Sequence, residues 1–286
     1  MTLSGRTPTG ADTAGHVPEI WSQQTIDEAE KELVAWDATD HSWQKDLVKG
    51  DTVNIGLINN VDATEVVVGT KAASLDIATG SKLQLIMDQW FEAPIDVDTM
   101  TVKQSQTNWA TKARGKAAES IRRKVDSTVC ALYSSLNTSI GVKGVDGDEI
   151  TDDLLLELKE ILLEADIPMD NDLFLIFDPS GLTDMLKYDK FVAAQYVAIG
   201  AVNNGQIGKT PIYGCNVRVT NNLTAATTGA YAAMVHRSAI ASALQIESPW
   251  TKDFEELHQV RFQHEALWGV LEVRDTFGIC FFTRKA

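Results

Sequence analysis

The sequence predicts an α+β chain, and three observations carry that expectation. Between Thr52 and Phe91 apolar and polar residues alternate with period two, as in half-buried strands. Between Asp98 and Asn137 the apolar residues move to i, i+4 spacing, the mark of a helix. From Ile212 to Phe282, β-branched and aromatic runs return in short segments divided by Gly, Asn and Pro.

In chain order, residues 1–18 are rich in Thr, Gly and polar residues and read as a flexible arm with no core pattern. Ile20–Trp36 is amphipathic: Ile26, Ala29, Leu33 and Trp36 fall at helical spacing, with Asp27, Glu28, Glu30 and Glu32 on the other face. Thr52–Ile58, Thr64–Val68 and Lys82–Phe91 then read as strands, with turns at Asn59-Asn60, Gly69 and Thr79-Gly80. The result is a long β-hairpin with a polar middle. Two strands alone bury little surface, so a projecting hairpin needs a partner's surface.

Asp98–Asn137 is the strongest helical segment. Ala113, Ala117, Ile121, Val125 and Val129 form its stripe, with Asp98 as cap and Gly141 as stop. A helix over most of that span is about 50–60 Å long. Lys112, Arg114, Lys116, Arg122, Arg123 and Lys124 ride on it against Glu119 and Asp126, a solvated face or a basic ridge for acidic neighbours. Thr151 caps a further helix, Asp152–Ala165, whose first-turn acids suit the dipole.

A strand and turn over 173–181 (LFLIFDPSG) follow, the strand being Leu173–Phe177, with Asp178-Pro179 opening a short helix. A G-x-I-G turn (205–208) precedes an I-Y-G-x-x-V-x-V strand (212–219) that ends in T-N-N-L (220–223). Tyr231–His236 and the stretch from Phe254 to Phe282 supply the closing strands.

This order resembles the axial domain of tailed-bacteriophage major capsid proteins, the Hong Kong ninety-seven-type shell fold. The resemblance implies an arm over 1–50, an extended hairpin loop over 51–92 and a peripheral domain with a spine helix over 93–150. It further implies an axial domain over 151–250 and returning peripheral strands over 251–286. By the same resemblance the chain self-assembles as hexamers and pentamers of an icosahedral virion shell, built in the host cytoplasm. Double-stranded DNA is enclosed without sequence-specific binding. A separate scaffolding protein, a portal and decoration proteins are implied partners. Some relatives cross-link a hairpin lysine to a neighbour's Asn; Lys71 and Lys82 lie in the hairpin, without a residue pattern that establishes the chemistry. An encapsulin-type nanocompartment shell of the same fold is the alternative.

Composition fits such a role. Of 286 residues, 44% are hydrophobic and 23% charged, ordinary for a globular protein. The net charge of −15 removes the electrostatic basis for a general nucleic-acid-binding surface and suits a wall that repels its contents. No apolar run is long enough to span a bilayer, and the first residues lack a signal-peptide core. Cys130, Cys215 and Cys280 are far apart and read as reduced, packed thiols.

Catalytic, cofactor and metal patterns are each tested and set aside. Asn203–Thr210 (NNGQIGKT) resembles a phosphate loop, the basis for a nucleotidase as a distant alternative. Its first Gly is replaced by Asn203, and a strand follows where a helix is required. The loop 141–153 offers Asp146 and Asp148 but places Ile150 and Thr151 where calcium ligands belong. His258 and His264, if on one strand, stand about 20 Å apart, too far to share a metal. His16 and His41 fall in the arm, and His236 at a strand end reads as a hydrogen-bonded structural residue. Ser180 lacks the first Gly of a nucleophile elbow. The expectation is a structural protein with no catalytic, cofactor-binding or metal residues.

Overall fold

The computed structural model describes residues 33–45, 51–58, 80–100, 109–188, 202–203, 206–207, 212–246 and 250–284. The segments 1–32 and 59–79 lie outside them, so the helix expected over 20–36 is met only at its end and Thr64–Val68 not at all.

Strand β1 (Thr52–Ile58) pairs antiparallel with β2 (Gly80–Ile86), from Thr52 opposite Ile86 to Ile58 opposite Gly80. Alternation decides what this ladder buries: Ile55 and Leu85 turn inward onto Ala241 and Ala243, while Gln84 and Lys82 face solvent. The hairpin base therefore rests on the subunit's own core.

The stretch expected as one strand over Lys82–Phe91 is two. Met87 drops into the hairpin cluster, its N–H donating to Asp51 O at 2.8 Å, and β3 (Gln89–Asp98) begins beyond that corner. Close approach sets the corner: a Cβ on Gly269 would lie 2.2 Å from Ile86 O.

Asp98 ends β3, and its Oδ1 accepts the Met100 N–H at 3.0 Å. The long helix is described from Trp109 to Leu132 (α1), 24 residues and about 36 Å at 1.5 Å per residue. It stops well short of Gly141. The Ser134 and Ser135 hydroxyls donate back to the Ala131 and Leu132 carbonyls, the chain tightens into a 3-10 turn, and Asn137 takes a left-handed φ of 50°.

Helix α2 (Asp152–Glu164) starts where expected, with Thr151 Oγ1 accepting the Leu154 N–H at 3.2 Å. Strand β4 (Leu173–Phe177) is buried along its whole length and leads into helix α3 (Pro179–Met185), capped by Asp178. Strands β5 (Val202–Asn203) and β6 (Gln206–Ile207) form a two-residue antiparallel pair. Only the end of the expected strand 212–219 is regular, as β7 (Asn216–Val219). Before it, Ile212 and Cys215 close a tight turn through Tyr213 (φ 52°) and Gly214 (φ 78°).

Two four-stranded sheets follow. Strand β8 (Gly229–His236) enters the second sheet, and β9 (Ile240–Ile246), β10 (Trp250–Phe254) and β11 (Gln259–Glu272) enter the first. In the first, β11 pairs with β3 on one side and with β10 and then β9 on the other, all antiparallel. In the second the order is β12-β8-β4-β7, where β12 is Gly278–Arg284 and only β4–β7 is parallel. Strand β11 returns beside α1 as expected: Ala266 and Trp268 share a cluster with Val125 and Val129. Strand β12 does not; it joins β8 in the other sheet. The reason is burial, since Ile279 and Phe281 fill the α2 side of that sheet with Leu158, Phe177 and Met234.

The second sheet is thus covered on both faces. Leu155, Leu158 and Leu162 of α2 pack on one face, and Val125 and Val129 of α1, with Tyr133 in the turn after it, pack with Phe174 and Ile176 on the other. A strand covered on both faces reads as a continuous apolar run, which accounts for LFLIF.

Candidate functional site

Three polar junctions hold the sheets, helix and loops in register. At the first, Asp126 is fully buried on α1. Its Oδ1 accepts the N–H groups of Ala35 and Trp36 at 2.7 and 3.1 Å, and its Oδ2 accepts Asn222 Nδ2 at 2.9 Å. One carboxylate therefore joins the end of the N-terminal segment, the long helix and the T-N-N-L strand end. Amide donors to an ionised acceptor make strong hydrogen bonds, and these replace the water the carboxylate lost.

At the second, Asp146 accepts the N–H groups of Thr227 and Thr228, each at 3.0 Å, and of Gly229 at 2.7 Å. Desolvation pushes its carboxyl up, but the Thr228, Gly229 and Thr227 bonds together hold it below the ordinary range. Gly147 makes the turn possible with φ 90°, where a Cβ would stand 2.7 Å from Thr228 Oγ1. Asp146, in the acidic loop that invites a calcium reading, is here a backbone clamp.

At the third, buried Asp184 accepts Arg284 Nη2 at 2.9 Å and Lys187 Nζ at 3.1 Å. Exposed Glu149 receives the same two side chains at 3.1 and 2.6 Å. The Lys187 bond pulls Glu149 below the ordinary carboxyl range, and Glu149 raises Lys187 in turn. The network pins the end of β12 to α3.

The two short crossings between the sheets, at Arg237–Ala239 and at Val273–Phe277, touch: Val273 N donates to Ala239 O at 2.8 Å. Glu272 sits beside them with Oε1 buried and unbonded. Burial, then the adjacent Asp275, pushes its carboxyl up to about 7, against a smaller opposing bond from Ser135. Asp275 also accepts the Thr138 N–H and hydroxyl at 3.1 and 3.2 Å.

No family model matches the chain and no curated protein matches it in sequence. Solved structures do. A structure from Mycobacterium phage Che8 has a TM-score of 0.77 at 19% identity, covering 93% of this chain and 97% of that one. The capsid of cyanophage P-SCSP1u has a TM-score of 0.72 at 12% identity, over 99% and 97%. The capsid of a native GTA particle has a TM-score of 0.68 at 10% identity, over 99% and 100%. The chain has the phage capsid fold.

Within the capsid fold, the residues singled out in the sequence have structural employment. The six cations of α1 do not form one ridge. Arg114 lies over the Phe262 ring at 4.3 Å and Lys124 over Phe91 at 5.0 Å, while Lys116 and Arg123 flank the nearly buried Glu119, each at 3.2 Å. His258 is not on a strand; it turns the chain into β11 with φ 51°, and its carbonyl accepts the Thr99 N–H at 2.9 Å. His264 is on β11, its Nε2 buried without a bond, and desolvation with nearby Arg114 lowers its pKa. His236 is held by Ser238 Oγ at 2.8 Å and Asp170 Oδ1 at 3.1 Å, as read from its strand-end position. His41 stacks on Trp36 and bonds Ser242 Oγ at 2.9 Å.

Ser180 donates to Asp178 Oδ2 at 2.5 Å within the cap of α3. Of the loop 203–210, the described residues form a tight strand pair; Lys209 and Thr210 lie outside them, as do His16 and Lys71. All three cysteines are free and buried, and desolvation lifts Cys215 to about 11 and Cys280 to about 12. Among the described residues no group of three metal-ligating side chains converges, and no helix is long and apolar enough to cross a membrane. Sequence reasoning missed the Asp126 junction. An acid among helix cations looks like surface charge; its place three and four residues before apolar Val129 and Cys130, on the same helical face, was the available signal.

Proposed function

We propose that this chain is the major capsid protein of a tailed bacteriophage, assembling as hexamers and pentamers into an icosahedral shell around double-stranded DNA. One observation carries the reading: two capsid structures it resembles are matched along nearly their whole length, with coverage of 97% and 100% on their side. The chain thus spans the dimensions of a shell subunit. The polar junctions support a structural role, since their charged side chains are bonded to backbone and to each other and hold strands in place.

On this reading, 1–50 is an arm, 51–92 an extended hairpin loop, and 93–150 with the returning strands that begin at 251 the peripheral domain, while 151–250 is the axial domain, whose sheet β12 (Gly278–Arg284) completes. Arms and hairpins reach across neighbours, and buried apolar area holds the lattice. The protein resides in the virion after assembly in the host cytoplasm. A portal, a separate scaffolding protein and decoration proteins accompany it, and DNA is held by enclosure. Its role is structural, without turnover. Electron microscopy of the purified protein tests this: closed shells or ring-shaped capsomers are expected, and a compact monomer at every concentration overturns it.

A further inference from the structure

Helix α2 buries one face, where Leu155, Leu158 and Leu162 fill the core against the second sheet. At about 100° per residue, Asp153, Glu157, Glu160 and Glu164 fall on the opposite side as a crest. Apolar residues flank that crest on both sides. Leu156 and Leu163 stand one heptad apart on one flank, 43% and 37% exposed. On the other, an open hollow of about 320 Å³ is lined by Leu154, Phe282 and Val145, the last 65% exposed, together with Asp148 and Glu149. Exposed apolar rows rimmed by charge have the composition of an interaction site.

The charges of the crest work against the helix that carries them. Asp153 with Glu157, Glu157 with Glu160, and Glu160 with Glu164 are like-charge pairs at i, i+3 or i, i+4, which destabilise a helix. Glu164 ends the helix, where the dipole disfavours an acid, and the last turn has no cation. Glu157 is offset by Lys143 at 2.8 Å. Asp148, Asp153, Glu160 and Glu164 are exposed and have no ion pair among the described residues. Lys159, the one cation of α2, lies off the crest toward Gly214. Such an arrangement weakens the isolated helix and is relieved when cations approach it.

We propose that the outer face of α2 is a docking site for a basic amphipathic helix of another protein. The apolar stripe of that helix meets Leu156 and Leu163, while Lys or Arg side chains beside it cross the crest. Long basic side chains also suit the hollow, where Leu154, Val145 and Phe282 take the methylenes and Asp148 takes the charge. Charge selects the occupant. Two copies meeting α2 to α2 set acid against acid, and nucleic acid or an anionic lipid surface is repelled for the same reason. Apolar contact excludes water at the centre, and opposite potentials set the register. This docking needs only the folded subunit, whether or not it builds a shell.

The probe is a synthetic amphipathic helix with a leucine stripe flanked by lysines, and its control is the same composition in scrambled order. Fluorescence anisotropy of the labelled peptides against the full chain, at about 0.15 M salt, reads binding. The ordered peptide is expected to bind at least about tenfold more tightly than the scrambled one. Leu156→Ser with Leu163→Ser, and separately Glu160→Gln with Glu164→Gln, should each weaken it about tenfold. Asp253→Asn with Glu256→Gln, which neutralise exposed acids on and just after β10, should leave it unchanged. Circular dichroism reads folding. Glu160→Gln with Glu164→Gln should raise the melting temperature by about 2–4 °C, because like-charge pairs are removed. A fall instead shows that the acids serve the helix itself and overturns the proposal. Equal binding of the two peptides, or equal weakening by the β10 substitutions, reduces the effect to the overall charge of the chain and overturns it as well. So does a parent that binds neither peptide; self-association lost in the leucine variant then assigns the face to a second copy.

Discussion

Replacing Asp126 by Ala is the most direct probe of the fold's organisation. The substitution takes the acceptor from four donors, the longest being the Thr220 hydroxyl at 3.5 Å, and two of them, the amides of Ala35 and Trp36, are in residues only 0% and 7% exposed. Asn222 is half-buried, so its amide can turn to water. A buried donor left unsatisfied costs about 1–3 kcal/mol, so the two amides together cost about 2–6 kcal/mol. At about 2–4 °C per kcal/mol for a chain of this size, the middle of that range lowers the melting temperature by about 8–16 °C. Asp126→Asn keeps one acceptor oxygen and sets an NH2 group against either the amides or Asn222, so an intermediate loss is expected. Asn222→Ala in the Asp126→Ala background should add little, because their bond is already gone. Thermal unfolding of the unassembled subunit by circular dichroism measures all three. Melting of Asp126→Ala within about 3 °C of the parent, under about 1 kcal/mol, refutes the assignment of Asp126 as the junction.

Glu272→Gln should change the pH dependence of stability. Because the folded carboxyl sits at about 7, above its ordinary 4.5, the folded state binds the extra proton between those values; this contribution is complete below about 4.5 and lost as pH rises through 7. The melting temperature of the parent minus that of the variant should therefore fall across that window, and a flat difference contradicts the reading. Gly269→Ala forces a Cβ to within 2.2 Å of Ile86 O, so the strand must shift. A loss of about 3 kcal/mol in denaturant unfolding is expected, at the upper end for overpacking. Leu158→Ala opens a cavity in the fully buried cluster beneath α2, and a loss of about 2–5 kcal/mol by the same assay is expected.

The elements whose burial follows a simple period were legible from the sequence. Thr52–Ile58, Leu173–Phe177 and the capped start of α2 fall at their expected places because local alternation, continuous hydrophobicity and a Thr cap each act within a few residues. Boundaries set by distant contacts were not legible. The break at Met87 depends on Gly269, far along the chain, and the early end of α1 depends on Tyr133 and Leu136 turning into the core. The partner of β12 was misread because apolar alternation fixes which face a strand buries, not which sheet receives it. The junctions were hidden for a related reason: Asp126, Asp146 and Asp184 serve backbone and side-chain groups up to about a hundred residues away, and charge alone gives no sign of burial.

The pairing of β3 with β11 sets a clock on the birth of the subunit. Asp98 meets Gln259 and Trp90 meets Leu267, so β3 is synthesised about 160–180 residues before the strand that completes it. At about 5–20 residues per second of translation, that interval is about 10–30 s. The long helix and α2 need only local contacts and form far sooner. Throughout that wait the nascent chain carries β3 with the edge meant for β11 unfilled, alongside the apolar face of the hairpin base. Escape from aggregation in those seconds depends on the charges of β3, where Glu92, Asp96 and Asp98 all remain exposed even in the finished sheet and discourage edge-to-edge pairing between unfinished chains.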